Sequence, residues 1–310
     1  MRFHVRVFLF SLFIAATYMV CPEVVQAQSK ASTKEDNFKK EGKKAEKKAK
    51  PKKWVWNHPD SPFWLSASVE AGFLAILDHK VQFGKQGSVF DYVRDGGQDN
   101  LFLFLRLSAD ITLFKQHILT FLYQPFDIRS ESILREELKQ DMATFAQGDA
   151  VNFRYGFDFY RVSYMYDIFP DKERELSFGL SLQIRNATIV FSNESGTKRS
   201  YRNDIGPVPI IKTRGYFTLP KRVWIGFEID GFYAPISVLN GSDSDVVGAI
   251  LDASFRVGYK VHPMMDLFFN IRYIGGGGVG TSTKPAEPGS DGFVENWLHT
   301  MSFTLGVALR

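Results

Sequence analysis

Cysteine is nearly absent from this chain: one residue in 310, at position 21. It falls inside an apolar leader. Arg2 and Arg6 begin that leader, an apolar run follows over residues 7–20, and Val25-Gln26-Ala27 supplies a small-x-small cleavage site before Gln28. The run is short for a bilayer-crossing helix, so residues 1–27 read as a secretory signal peptide. Acylation at Cys21 is disfavoured because Val20 is bulky for the position before a lipidated cysteine. Cleavage leaves no cysteine, which excludes both a disulfide and a thiolate nucleophile. Paired-ligand spacing for zinc is missing too. The run Gly275-Gly276-Gly277-Gly278-Val279-Gly280 has no following Lys-Ser/Thr and opens no helix, so it is no phosphate loop; it reads as a strand end flaring into an external loop. Asp243-Ser244-Asp245, with Asp252 further on, lacks the terminal glutamate of an EF-type calcium loop. No metal or cofactor is expected.

Acidic charge is scarce in one segment only. Residues 30–53 hold eleven lysines against Glu35, Asp36, Glu41 and Glu46, a net of +7. The formal +4 of the whole chain therefore hides a mildly acidic body, with residues 54–310 at −4. The lysine-rich stretch has almost no apolar residue with which to build a core, so residues 28–60 are expected to be a disordered periplasmic extension. It is a solvated spacer or a contact for anionic envelope polymers and headgroups. Nucleic acid is not a fitting partner for an exported chain.

What is abundant is period-two alternation. Leu101, Leu103, Leu105, Leu107, Ala109, Ile111 and Leu113 share one face of an extended segment, and Arg106, Ser108, Asp110 and Thr112 the other. Ten such segments are read at 64–77, 99–114, 117–125, 151–166, 175–191, 206–219, 222–235, 246–261, 264–275 and 295–309. With no helical layer to cover them, their apolar faces would form a large oily surface in water. Closed into a barrel within a bilayer, those faces meet lipid, the polar faces line the interior, and every backbone group is paired. The expectation is an all-β, ten-stranded antiparallel transmembrane β-barrel over residues 61–310.

The connections agree. Short turns with Pro170, Pro220 and Pro263 alternate with longer polar loops near 78–98, 126–150, 192–205, 236–245 and 276–294, which puts both chain ends on the periplasmic side. Trp64, Tyr166, Trp224 and Tyr259 fall near periplasmic strand ends, and Tyr123, Tyr233, Tyr273 and Trp297 near external ends, as two interfacial belts. The fourth strand changes phase: Phe153, Tyr155, Phe157 and Phe159 share one parity, and Tyr160, Val162, Tyr164 and Tyr166 the other. A β-bulge near Phe159-Tyr160 would restore one lipid face. In the 126–150 connection, Ile133, Leu134, Leu138 and Met142 suit a short helix, while Ala146-Gln147-Gly148-Asp149 suits the closure of a ribbon; both readings stand.

The last strand carries a resemblance. Met301, Phe303, Leu305, Val307 and Leu309 alternate with Ser302, Thr304, Gly306 and Ala308 to the terminus. This resembles the C-terminal strand by which outer-membrane β-barrels are recognised by their assembly machinery, although the usual terminal aromatic is replaced by Leu309-Arg310. The resemblance covers residues 60–310 as architecture. It implies a bacterial outer-membrane location, with outer-membrane lipid and the barrel-assembly machinery as partners.

The interior-facing set is ionic: Glu70, Arg106, Asp110, Arg154, Asp158, Arg161, Arg185, Lys212, Arg214, Glu228, Asp230, Asp252, Arg256 and Arg272. Single charges there are costly, so pairs and networks are expected. Ten strands leave little more room than the eight that side chains just fill. The set therefore forms either a salt-bridge lattice or a narrow, anion-favouring pore. Omptin surface proteases also have ten strands, with carboxylates and a histidine at the outer rim. His79 beside Asp78, with Asp91, Asp95, Asp99 and Asp127 as possible neighbours, occupies such a rim, but the omptin local pattern is absent. His299 and Ser302 have opposite parity and cannot form a dyad; His117 and His262 lie in turns. No catalytic residue is assigned. The sequence reads as a non-enzymatic outer-membrane barrel, structural or narrowly pore-forming. Its rivals are a hydrolase with a rim site and an adhesin acting through external loops.

Overall fold

The computed structural model describes residues 61–235, 245–283 and 289–310. The chain divides into units of residues 1–52 and 53–310, and the described residues belong to the second. The signal peptide, the lysine-rich extension, Asp243 and parts of the last two external loops lie outside them.

Ten strands make the wall: β1 (Phe63–Phe83), β2 (Leu101–Leu113), β3 (His117–Gln124, continued by Asp127–Ile133), β4 (Ala150–Asp167), β5 (Arg174–Asn193), β6 (Arg199–Thr218), β7 (Val223–Pro235), β8 (Val247–His262), β9 (Met265–Thr281) and β10 (Phe293–Leu309). Each pairs antiparallel with the next, and β10 returns to β1 from Ala67↔Leu309 to Phe83↔Val294, so the sheet is closed. The helical element among the described residues is a single 3-10 turn, Pro220–Arg222. Closure removes sheet edges, and that is what lets strands stand in hydrocarbon.

Alternation sorts the side chains as expected. Leu101, Leu103, Leu180, Phe255, Phe303 and Leu305 are exposed on the outside, whereas Ser177, Gln183, Asn270, Ser302 and Thr304 are buried within. An exterior this apolar is a lipid face, and the fold is a transmembrane antiparallel barrel.

Three details differ from the sequence reading, and one decides between its two alternatives. First, β4 has no bulge: its register with β5 runs unbroken from Val151↔Asn193 to Asp167↔Ser177. Odd-numbered residues point inward throughout, so Phe153, Tyr155 and Phe159 are buried inside the barrel. The chemistry of the interior changes along the strand, not the direction of the side chains. Residues 84–100 fold into the half of the barrel away from Arg310, and Phe90 and Tyr92 pack there on Phe153 and Phe191 at ring separations of 4.9–5.7 Å. Second, residues 126–150 form the ribbon, with Asp127–Ile133 paired to residues 150–156 of β4, and a small hairpin (Leu138–Gln140 with Ala143–Phe145) takes the place of a helix. Third, Trp64 and Trp224 leave the inner belt. Trp224, 2 % exposed, packs inward on Tyr216 and Phe268, and Trp64 lines a cavity at the mouth beside the C-terminal residue Arg310. Tyr166 and Tyr259 do face outward. Fourth, the glycine run stays in β9 and pairs on both sides. A Cβ on Gly277 would sit 1.8 Å from the carbonyl oxygen of Asn296, so the close approach of β10 requires glycine there.

Candidate functional site

In so narrow a barrel, inward side chains from opposite walls meet. Arg106 on β2 crosses the lumen to Asp252 on β8 at 3.3 Å and to Glu228 on β7 at 3.4 Å. Arg161 on β4 binds Asp230 and, at 3.2 Å, Asp252. Arg272 on β9 binds Asp252 and reaches Glu228 at 3.2 Å. Arg256 joins Glu70 (2.7 Å) to Glu228 (3.2 Å), and Lys212 lies 3.1 Å from Asp230. Nearer the end of the barrel that holds Arg310, Arg214 bridges Asp110 (2.8 Å) and Glu175 (2.5 Å). The set is six cations against six carboxylates, formally neutral.

Neutral polar groups complete the lattice. Gln124 accepts from Arg106 at 2.9 Å, Gln183 accepts from Arg161 at 2.7 Å, and Asn270 donates to Glu70 at 2.6 Å. Arg272 is fully buried, and Glu70, Asp230 and Asp252 are each 1 % exposed. Charges this deep persist because each is paired and hydrogen-bonded.

Eleven of the fourteen charges read from the sequence therefore meet inside the barrel, nine in one connected lattice and Asp110 and Arg214 in a separate group with Glu175. Arg154 does not: it stands on the outer face with Asp127, 2.9 Å away. Asp158 shares that outward parity and accepts from the backbone N–H of Phe126 at 3.2 Å. Both follow from the unbroken register of β4, since the expected bulge would have turned them inward. The side chain of Arg185 lies outside the described residues. Glu175 was missed, although its parity with Ser177 on β5 points it inward.

The lattice has a different neighbour at each end. Toward the C-terminal end of the chain lies a cavity of about 170 Å³ lined by Ser68, Ser108, Arg214, Trp224, Arg256 and Arg310. The Arg310 guanidinium covers Tyr216 at 3.9 Å from the ring centre. At the opposite end lies the aromatic plug. Asp141 pins it to the wall through Arg202 (2.6 Å) and accepts from Ser290 at 2.7 Å.

His79 sits within this plug, fully buried, and not at an open rim. Its Nδ1 is 2.7 Å from Gln98 Oε1, and its ring stacks on Tyr92 at 4.2 Å. Asp78 points away toward Lys80, and these two exposed charges on the outer face place this level beyond the lipid band. Burial pushes His79 down to about 4. His299 bonds Tyr273 at 2.6 Å on the outer face, while Ser302 points inward. Asp245 accepts from the backbone N–H of Thr281. Among the described residues, no group of three or more His, Cys, Asp or Glu is placed to hold a metal ion.

No protein-family model matches the chain, and no curated protein matches it in sequence. Solved structures of outer-membrane barrels resemble it in outline. The Pseudomonas putida toluene transporter TodX is 10 % identical, with 82 % of this chain and 91 % of that one covered at a TM-score of 0.31. The Escherichia coli outer-membrane protease OmpT is 10 % identical, with 83 % and 99 % covered at 0.25. The anion-selective porin of Comamonas acidovorans is 9 % identical, with 79 % and 99 % covered at 0.24. A transporter, a protease and a porin at such distances single out no activity. By its own closed ladder and apolar exterior, the chain has the general architecture of an outer-membrane β-barrel and is assigned to no narrower family.

Proposed function

We propose that this protein is a non-enzymatic, integral outer-membrane barrel whose axis is closed, acting as a structural wall element or at most a narrow conduit. One observation carries the reading: six cations and six carboxylates, neutral as a set, are ion-paired across the lumen. Neutrality removes the excess of fixed positive charge that an anion-selective path needs. Tight pairing leaves few free donors to replace a hydration shell. On this reading both ends of the barrel chain face the periplasm, where residues 28–60 are free to meet anionic envelope polymers. Barrel-assembly machinery and outer-membrane lipid are its partners. Nothing in the surroundings of His79, which bonds an amide and no carboxylate, favours the rim-hydrolase alternative.

Single-channel recording of the refolded protein in planar bilayers tests the proposal. The expected trace is silent or shows small, weakly selective steps. Large, unselective channels would overturn it.

A further inference from the structure

One end of the barrel is packed by the aromatic plug, and the other holds the cavity of about 170 Å³. That cavity begins where the chain enters the wall: Trp64, Ser66 and Ser68 of β1 form one side, and Lys172, Tyr216 and Arg310 stand around it. Its aromatic rings already carry cations. The Lys172 ammonium lies 4.3 Å from the centre of the Trp64 ring, and the Arg310 guanidinium lies 3.9 Å from that of Tyr216 and 5.2 Å from that of Trp224. The carboxylates of Asp110 and Glu175 border the same space. Aromatic faces, cations that seek such faces and carboxylate acceptors together suit an amphipathic ring bearing one N–H donor. The size admits a single ring and no folded element.

The chain carries such rings close by. Between Gln28 and Asp60 its large apolar residues are Phe38 and the triplet Trp54-Val55-Trp56. The compact unit that contains the barrel begins at Lys53, directly before the triplet. Trp54 and Trp56 share a parity, so an extended segment presents both to one surface. Asn57-His58-Pro59-Asp60-Ser61-Pro62 follows, rich in turn formers and with two prolines that bring no N–H to a ladder. The wall accordingly starts at Phe63, and Pro62 offers it only a carbonyl, which accepts from the N–H of Phe114 at 2.6 Å. Trp56 precedes Ser61 by five residues, a reach of up to roughly 17 Å, enough to bring an indole back over a mouth whose wall includes Trp64.

We propose that Trp54-Val55-Trp56 folds back over this mouth and seats one indole in the cavity, closing the second end of the axis. The occupant is the chain's own segment because it is tethered at the cavity wall, and because a seated indole buries an aromatic face among the rings and cations of the mouth. The lysine-rich stretch ahead of the triplet stays outside.

The test uses the full chain with Cys21→Ser, which removes its one thiol. Val55→Cys is paired either with Lys172→Cys, at the cavity, or with Ile111→Cys, on the outward parity of β2 at the same end. Disulfide formation in the refolded, heat-modifiable protein is followed after addition of copper phenanthroline. The Lys172 pair is expected to close several-fold faster than the Ile111 pair. The double variant Trp54→Ala, Trp56→Ala should slow it to the rate of the Ile111 pair. Both alanines lie ahead of the first ladder pair, Phe63↔Leu113, so the barrel is retained. A rate unchanged by the alanines would reveal a loose tether colliding with the mouth and would overturn the proposal. Equal closure of the two pairs would do the same, as would faster closure of the Ile111 pair, the result for a segment lying on the outer face. A disulfide formed between two copies in place of the internal one would also overturn it.

Discussion

Arg272 and Leu105 illustrate how one residue position fixes the chemistry it can bear. Arg272 is fully buried between Asp252 and Glu228. Removing its guanidinium takes one of several partners from Asp252 and Glu228, which keep Arg106 and, respectively, Arg161 and Arg256; breaking a fully buried pair costs up to about 3–5 kcal/mol. Arg272→Ala should therefore lower the urea midpoint of the refolded barrel markedly, whereas Arg154→Ala, on the exposed outer face, should shift it little. Equal midpoints for the two variants would show that the lattice is not what holds the lumen together. Leu105 faces lipid, and Leu105→Arg or Phe269→Arg should cost about 2–4 kcal/mol at the bilayer midplane and reduce the assembled fraction on a heat-modifiability gel. Ser108→Arg, with the opposite parity, meets no hydrocarbon. Assembly of Leu105→Arg at wild-type yield would contradict the assigned face.

At the level of elements, the plug formed by residues 84–100 and the 126–150 ribbon is the part that pH should loosen. His79 is neutral in the folded plug, with its pKa lowered from 6.5 to about 4 by burial. A depressed histidine means that the unfolded plug binds the proton first. Stability is then complete above 6.5 and falls as the pH drops from 6.5 to about 4, by about 3 kcal/mol in all. Protection against hydrogen exchange over residues 84–100, with the intrinsic pH dependence of exchange divided out, should fall as the pH drops across that window, and His79→Gln should flatten the fall. Protection independent of pH below 6.5 would mean that His79 does not hold the plug. The same element marks where sequence reading reached its limit. All ten strands were legible because period-two alternation requires only a lipid side and a lumen side. The direction of Phe153, Tyr155 and Phe159 was not, because the rule that apolar residues face out fails once a loop fills the barrel with an apolar core. From that single inversion followed the expected bulge and the misplacement of Arg154 and Asp158. Trp64 and Trp224 were misread for a related reason: an aromatic near a strand end is a belt residue only on the outward parity. Glu175 was legible by parity.

For the molecule as a whole, the question is which parts the barrel needs in order to close. Both edges of β1 are occupied within residues 63–309, one by β2 from Phe63↔Leu113 to Ala75↔Leu101 and the other by β10. Deleting residues 30–53 therefore removes no ladder partner. It removes eleven lysines and four acids, changing the net charge of the mature chain by −7 without touching the neutral lattice. The deletion variant should still fold into a heat-modifiable barrel, with a denaturation midpoint matching that of the full chain. What should change is attraction to anionic surfaces, because the basic excess of the chain resides in that segment. Binding of the full chain to anionic envelope polymer should weaken steeply with salt, and the deletion variant should bind little at any ionic strength. If the deletion abolished the barrel, the extension would have to take part in assembly or fill the lumen. If polymer binding survived it, the contact surface would have to lie on the barrel itself.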